Sequence, residues 1–421
     1  MEGMKFAPFS VQQLKLLTWW CDNSPVKDKN GIIADGAIRS GKTVAMSLSY
    51  VFWAMKSFDG MNFAMCGKTI SSFRRNVLSF LLPMLEARGY EVSYRRSDNV
   101  LTISRNQTVN YFYVFGGKDE SSQDLIQGMT LAGAFFDEAA LMPESFVLQA
   151  TARCSVAGSK FWFNCNPENP RHWFYEKWIN EKQRKEKNII YLHFTMEDNL
   201  SLTEETKARY KSMYAGAFYA RFILGEWKVA EGLIYDMFSD KNIIAVPGEN
   251  ELFGSAYVSC DYGTLNPTVF LMWRKHHNKW LCVKEYYYNS RKTHLQKTDA
   301  EYAQDLIDFI GSTPYQCVIV DPSAASFITE LMKKGVKVIK ADNAVLDGIR
   351  RTAMLIQTGE LMFTKDCTNT IAEFGAYHWD DKAAEHGEDK PVKEDDHAMD
   401  AIRYFVSTVM GRTIGTSVRR R

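Results

Sequence analysis

The chain has no surplus of charge: 51 lysines and arginines face 50 aspartates and glutamates in 421 residues. Any grip on nucleic acid must therefore come from local patches and not from bulk attraction. The eight cysteines, at positions 21, 66, 154, 165, 260, 282, 317 and 367, include no C-x-x-C pair, which argues against a zinc ribbon. Several lie inside apolar runs, as buried thiols do, and nothing suggests a disulfide framework. No uncharged apolar run approaches the ~20 residues that a membrane helix needs. The opening "MEGMKFAPFS" lacks a basic region followed by a long apolar stretch, so no signal peptide is expected. What is present is a chain 46 % hydrophobic and 13 % aromatic, ample for one large core or two medium ones. Two domains in a reducing cytosol are the expectation.

The strongest local signal is "GIIADGAIRSGKTVAM". Ile32–Ala34 read as a short buried strand. Gly36 to Thr43 match G-x-x-x-x-G-K-[ST], and Val44, Leu48, Val51, Phe52 and Met55 then recur at helical spacing. Strand, loop and helix in that order make a phosphate-binding loop. Gly36 and Gly41 let backbone amides wrap phosphates, with Ser40 in the same loop. Lys42 is placed to bridge the outer phosphates and Thr43 to ligate Mg²⁺. The helix N-terminus favours the same anion. Arg39, inside the loop, either reaches the terminal phosphate or faces solvent.

Two further stretches complete a nucleotide site. "LAGAFFDEAALM" is an apolar strand ending in Asp137 and Glu138, the first suited to hold Mg²⁺ and the second to orient and deprotonate water. "FWFNCNPENP" delivers Asn164 and Asn166 at a strand tip before a proline turn, where an amide can sense a terminal phosphate. Near the start, "FAPFSVQQLKLL" offers Phe9, Gln12 and Gln13, either an adenine-reading amide or an ordinary helix start capped by Ser10.

"GAIRSGKT", "FFDEAALMPESF" and "FNCNPENPRHWFYEKWI" together resemble the large terminase subunit of tailed bacteriophages. The resemblance implies an ATP-driven DNA-packaging motor with Lys42, Arg39, Glu138 and Asn166 in catalytic or coupling roles, and Gln13 at the adenine motif. It also implies a nuclease in the second half. Residues 171–230 are rich in helix formers, and the composition changes around Gly232. The basic cluster Lys182–Lys187 reads as a solvated helix face before it reads as a DNA stripe.

The second half carries the carboxylates that a nuclease needs. Tyr257–Cys260, Thr268–Trp273 and Trp280–Tyr288 read as three consecutive strands with turns at "GTLNP" and "HHNK". Asp261 ends the first, and Asp321 ends the buried strand "CVIVDPS". The order β-β-β-α-β-α-β-α resembles the ribonuclease H and resolvase fold. In the last helix, "EDDHAMDAIRYFVSTVM", Asp396 and Asp400 lie about 40° apart and His397 and Asp400 about 60° apart. Asp396 is equally a helix cap. Asp261, Asp321, Asp400 and His397 are the expected ligands of two divalent ions for phosphodiester cleavage, and hard oxygen donors favour Mg²⁺ or Mn²⁺ over zinc. Glu285 reads as an edge charge, "WDDKAAEHGEDKPVKEDD" as a solvated loop, and the tail "SVRRR" as disordered.

The fold expected is therefore α/β: a P-loop ATPase of RecA or additional-strand type over 1–180, a helical linker over 181–235, and a ribonuclease H-like nuclease over 236–421. The resemblance implies ATP as substrate, double-stranded DNA, a small terminase subunit and a portal-bearing procapsid as partners. It also implies a homo-oligomeric ring on the portal, a monomer when alone, and the cytoplasm of an infected bacterium. Two rivals stand beside it: an ATP-dependent helicase or repair nuclease with no capsid, and a P-loop switch carrying an inactive scaffold. No clear series of helicase motifs follows "FNCNPENP".

Overall fold

The computed structural model describes residues 8–264 and 266–410; the "SVRRR" tail lies outside them. The chain divides into two compact units. The first holds the residues up to Lys211, Tyr219–Val229 and the short stretch His386–Glu388. The second holds Ser212–Phe218, Ala230–Glu385 and the residues from Asp389 onward.

The first unit is built on eight strands: β1 (Gly31–Gly36), β2 (Asn62–Gly67), β3 (Glu91–Arg95), β4 (Val100–Arg105), β5 (Thr108–Gly116), β6 (Gly133–Phe136), β7 (Lys160–Asn164) and β8 (Ile189–Phe194). Their order is β3-β4-β5-β2-β6-β7-β1-β8. The six from β5 to β8 run parallel, while β3 and β4 extend the sheet antiparallel. Strands buried on both faces read as unbroken apolar runs, and β1 and β6 are buried throughout. The helix Lys42–Ser57 packs on one face through Tyr50, Trp53 and Met46, around Trp162 of β7. Because β7 lies between β1 and β6, the phosphate loop and the Asp-Glu pair flank an additional strand whose tip carries Asn164.

Residues 181–235, expected as a helical linker, divide in the structure. Ile189–Phe194 pairs in parallel with β1 and closes the first sheet. The helix-forming residues on either side of this short run mask its strand character, and tertiary pairing decides such cases. In the helix Glu181–Glu186, Lys185 pairs with Glu181 and no residue is buried, as befits a solvated face.

The second unit has seven strands: β9 (Ile243–Ile244), β10 (Leu252–Asp261), β11 (Thr268–His276), β12 (Lys279–Tyr288), β13 (Tyr315–Val320), β14 (Val338–Lys340) and β15 (Leu361–Thr364). Their order is β14-β13-β10-β11-β12-β15-β9. β10, β11 and β12 form an antiparallel meander; β13 and β14 continue it in parallel on one side, β15 and β9 on the other. β10 and β13 are neighbours, so Asp261 and Asp321 emerge from adjacent parallel strands. The amphipathic helix His397–Phe405 lies across β10 and β11 and stacks Phe405 on Trp273, ring centroids 4.5 Å apart.

Two candidate active sites

In the first unit β1 runs directly into the phosphate loop. Gly36 has φ +123°, and a Cβ there would lie 1.9 Å from the Phe194 carbonyl oxygen, so the turn admits only glycine. Lys42 is buried and donates to the carbonyls of Gly36 and Ala37 at 3.0 and 2.8 Å, to Ser40 Oγ at 3.3 Å and to Asn166 Oδ1 at 3.3 Å. Burial lowers its pKa. Burial, and then the neighbouring Glu138, push the Asp137 carboxyl up. A buried ammonium and a buried acid that both resist ionisation gain from a ligand of high charge density.

Two amides organise these groups. Asn164 donates to Asp137 Oδ1 at 2.8 Å and to Thr43 Oγ1 at 3.3 Å, and its own oxygen accepts the Glu138 N–H at 2.8 Å. Asn166 accepts from Lys42 and donates to the Glu138 carboxylate. Lys42, Thr43, Asp137, Glu138 and Asn166 thus meet as the sequence leads one to expect, around a cavity of about 480 Å³ that Arg39, Ser40 and Gly41 also line. Arg39 and Glu138 both hold left-handed backbone, φ +59° and +60°. The Arg39 guanidinium lies over the Tyr210 ring, 5.5 Å from its centroid, and the Arg39 carbonyl accepts from Asn199 at 2.6 Å.

Gln13 sits against the loop with both ends of its amide engaged. Its oxygen accepts the Ser10 N–H at 3.0 Å and its nitrogen donates to the Ser40 carbonyl at 3.4 Å. Ser10 is the helix cap in a reciprocal capping box with Gln13, the helix-start alternative for this stretch. Sequence reasoning missed Asn199 and Tyr210, which lie far along the chain from the loop they touch.

In the second unit each acid has its own partner. Asp261 lies 2.9 Å from His397 Nδ1. Asp321 accepts from Tyr404 Oη at 2.8 Å, from the Ser323 N–H at 2.7 Å and from Asn343 at 3.5 Å. Asp400 pairs with Arg403 at 2.9 Å and with Lys393 at 3.1 Å. Burial pushes Asp261 up to about 6, with Asp400 and Asp396 adding to the shift against the lowering pull of His397. Burial also raises Asp321, but the Ser323, Tyr404 and Asn343 hydrogen bonds outweigh it and hold its pKa below the ordinary value. Burial lowers His397, yet its bond to Asp261 wins and raises it.

His397, Asp400 and Tyr404 occur at i, i+3 and i+7 on one helix, which is how a single element reaches both strand-end acids. Asp261, His397, Asp396 and Asp400 line one cavity of about 340 Å³, with Arg291 and Lys393 at its rim. Asp321 is joined to this group through Tyr404 and does not line the cavity. Among the described residues no three His, Cys, Asp or Glu side chains converge closely enough to hold an ion as they stand. The donor set nonetheless fits a hard divalent cation. It comprises three carboxylates and one imidazole, with repulsion from Asp400 and Asp396 raising Asp261 and an exposed ammonium, Lys393, drawn in between Asp396 and Asp400 at 3.0 and 3.1 Å.

Asp396 stands at the helix N-cap position without a side-chain capping bond. That bond comes instead from Glu373, which accepts the N–H groups of Ala398 and Met399 at 2.7 and 3.3 Å and the Tyr287 hydroxyl at 2.8 Å. Glu285, read as an edge charge, caps the helix Thr368–Phe374 by accepting from Asn369 N and Thr370 N at 2.9 Å each. Tyr404 could have been found by its helical spacing from Asp400; Glu373 carries no sequence signal.

Comparison with known proteins supports both halves. The family model "Terminase large subunit, T4likevirus-type, N-terminal" matches residues 33–239, and "Terminase RNaseH-like domain" matches residues 271–408. The large terminase of a thermophilic bacteriophage is 57 % identical, with a TM-score of 0.91 over 96 % of this chain and 100 % of that one. The same phage's large terminase in complex with ADP is 56 % identical with a TM-score of 0.89, and in complex with ATP-gamma-S 55 % identical with 0.88, each over 96 % of this chain and 100 % of that one. No curated protein sequence matches. With a phosphate loop, an Asp-Glu pair and a ribonuclease H-like sheet on one polypeptide, this chain belongs to the large terminase subunits of bacteriophages, in which a packaging ATPase is joined to a nuclease domain.

Proposed function

We propose that the first unit hydrolyses ATP to drive double-stranded DNA into a procapsid and that the second cuts concatemeric DNA. The observation that carries the first half is the continuous bonded line from Lys42 through Asn166 to Glu138. It joins the group that holds the outer phosphates to the group that takes a proton from the attacking water. The backbone of Gly36–Thr43 wraps the phosphates, and Arg39 leaves Tyr210 to meet developing charge. Thr43 and Asp137 would hold Mg²⁺, which offsets phosphate charge. Asn166, bonded at both ends, passes loss of the terminal phosphate onward.

In the second unit Asp261, Asp321, Asp400 and His397 would hold two Mg²⁺ or Mn²⁺ ions, which would supply activation of a water and stabilisation of charge on the leaving oxygen. His397 fixes the orientation of Asp261, and Tyr404 fixes that of Asp321. The partners are those of the family: double-stranded DNA, a small terminase subunit and a portal-bearing procapsid, on which copies of this chain form a ring. The site of action is the cytoplasm of the infected host; none of the described helices is long and apolar enough to cross a membrane.

Separation of the two activities tests this reading. Asp321→Ala should abolish plasmid cleavage in Mn²⁺ and leave ATP turnover intact, while Lys42→Ala should do the reverse. Cleavage that survives Asp321→Ala, or ATP turnover that survives Lys42→Ala, would remove the corresponding half.

A further inference from the structure

The segment Arg221–Lys228 is bonded to the nucleotide site at three places that hydrolysis itself does not use. The Ile38 N–H, inside the phosphate loop, donates to the Phe222 carbonyl at 2.9 Å. Asp35, the residue before Gly36, is fully buried. One of its oxygens accepts from Trp227 Nε1 at 2.7 Å and from the Tyr191 hydroxyl at 2.9 Å, and the other lies 3.0 Å from His193 Nδ1. Arg221, 1 % exposed, donates Nε and Nη2 to the Lys228 carbonyl at 2.8 and 2.5 Å and Nη1 to Glu168 at 3.4 Å. Glu168 returns a second bond through its carbonyl to the Lys228 N–H at 3.2 Å. It lies two residues beyond Asn166.

The contact is close. Gly225 has φ +78°, and a Cβ there would fall 2.8 Å from Ala37 N and 3.0 Å from Gly36 Cα. A buried carboxylate and a buried guanidinium each cost desolvation that apolar residues avoid. Asp35 divides its bonds between Trp227 of this segment and Tyr191 and His193 of β8, and Arg221 divides its own between the Lys228 carbonyl within the segment and Glu168 in the turn after Asn166. Immediately after Val229 the chain passes into the second unit.

We propose that Asp35 and Arg221 are positioning residues that fasten the segment Arg221–Lys228 to both phosphate-contacting elements, so that the segment shifts when the terminal phosphate is lost. This rests on the ATPase reading above and assigns its mechanical output to named bonds. Two directions of pull converge, one through Trp227 and Ile38 from the loop and one through Arg221 from the Asn166 turn. A change in the spacing of loop and turn therefore cannot leave the segment where it was.

The test uses the full chain and two conservative variants. Trp227→Phe removes one donor and keeps a ring against Tyr175, which it meets at 5.1 Å. Glu168→Gln keeps the size of the side chain and the carbonyl bond to the Lys228 N–H, and removes the charge that Arg221 faces across to the turn after Asn166. Hydrogen exchange of peptides spanning 219–229 is compared with ADP and with ATP-gamma-S bound, beside steady-state ATPase kinetics and melting temperature. In the wild type the two nucleotides should give different protection. Each variant should lose most of that difference while KM for ATP changes by less than about threefold. Persistence of the difference in both variants overturns the proposal, as does a rise of KM together with a fall of kcat and melting temperature, which marks a merely structural role. Equal protection in a wild type that hydrolyses ATP overturns this proposal alone; a wild type that hydrolyses no ATP overturns the ATPase reading first.

Discussion

Asn166 donates to both oxygens of the Glu138 carboxylate, at 3.2 and 3.0 Å, while its own oxygen accepts from Lys42. A carboxylate gripped in this way has its orientation set by the protein itself. Asn166→Ala should lower kcat for ATP hydrolysis by ~10²-fold and change KM by less than about threefold, because the phosphates are held elsewhere. Steady-state kinetics decide it; a large rise in KM with kcat unchanged would show that Asn166 serves binding instead.

Tyr404 is the hydroxyl that fixes Asp321 from the helix bearing His397 and Asp400. Tyr404→Phe keeps the ring and removes only that donor. DNA cleavage should fall ~10- to 100-fold, because Asp321 loses the hydroxyl that orients it, with ATP turnover unchanged. Cleavage equal to wild type at limiting Mn²⁺ would show that Asp321 holds its orientation without it.

Lys393 is the cation lodged beside Asp396 and Asp400, and its side chain is 62 % exposed. On the two-metal reading proposed above it would compete with an ion for Asp400, but only weakly from an exposed position. Lys393→Met should lower the Mn²⁺ concentration for half-maximal cleavage by about two- to fivefold. A rise in that concentration would show the ammonium to be a helper and not a competitor.

Glu373 makes the second unit's stability depend on pH in a defined direction. Burial lifts its pKa from 4.5 to about 7, against the lowering pull of Tyr287 and of the helix amides. The folded state therefore binds the proton more tightly than the unfolded state. The stabilising contribution is complete below pH 4.5 and is lost as pH rises to about 7. Glu373→Gln removes the ionisation and retains an acceptor for Ala398 N–H. The loss of stability between about pH 5 and about pH 8 should shrink by ~1–3 kcal/mol, read from urea unfolding at the two pH values. An unchanged pH slope would mean that Glu373 stays ionised in the fold.

Much of both sites can be read from the sequence because their chemistry sits at strand ends, where an apolar run stops at a polar residue. Asp137, Asn164, Asp261 and Asp321 all declare themselves in that way, and the loop at Gly36–Thr43 does so by its glycines. The parts that stay hidden are bonds between residues far apart in the chain. Trp227 reaches Asp35 across 192 positions and Asn199 reaches Arg39 across 160. Glu373 meets a helix start 25 residues later with no spacing rule to announce it. β8 escapes a linear reading for a related reason: Ile189–Phe194 is short and flanked by strong helix formers, and only its pairing with β1 makes it a strand.

Arg39 and Glu138 carry a consequence for how this protein can change. Both side chains sit on backbone that costs of order 1 kcal/mol or more per non-glycine residue to maintain. Random substitution followed by selection for heat resistance alone should accordingly favour glycine or asparagine at these two positions. On the ATPase reading proposed above, the survivors would be hardier proteins that turn over little ATP, and durability and work would part company at the same two residues.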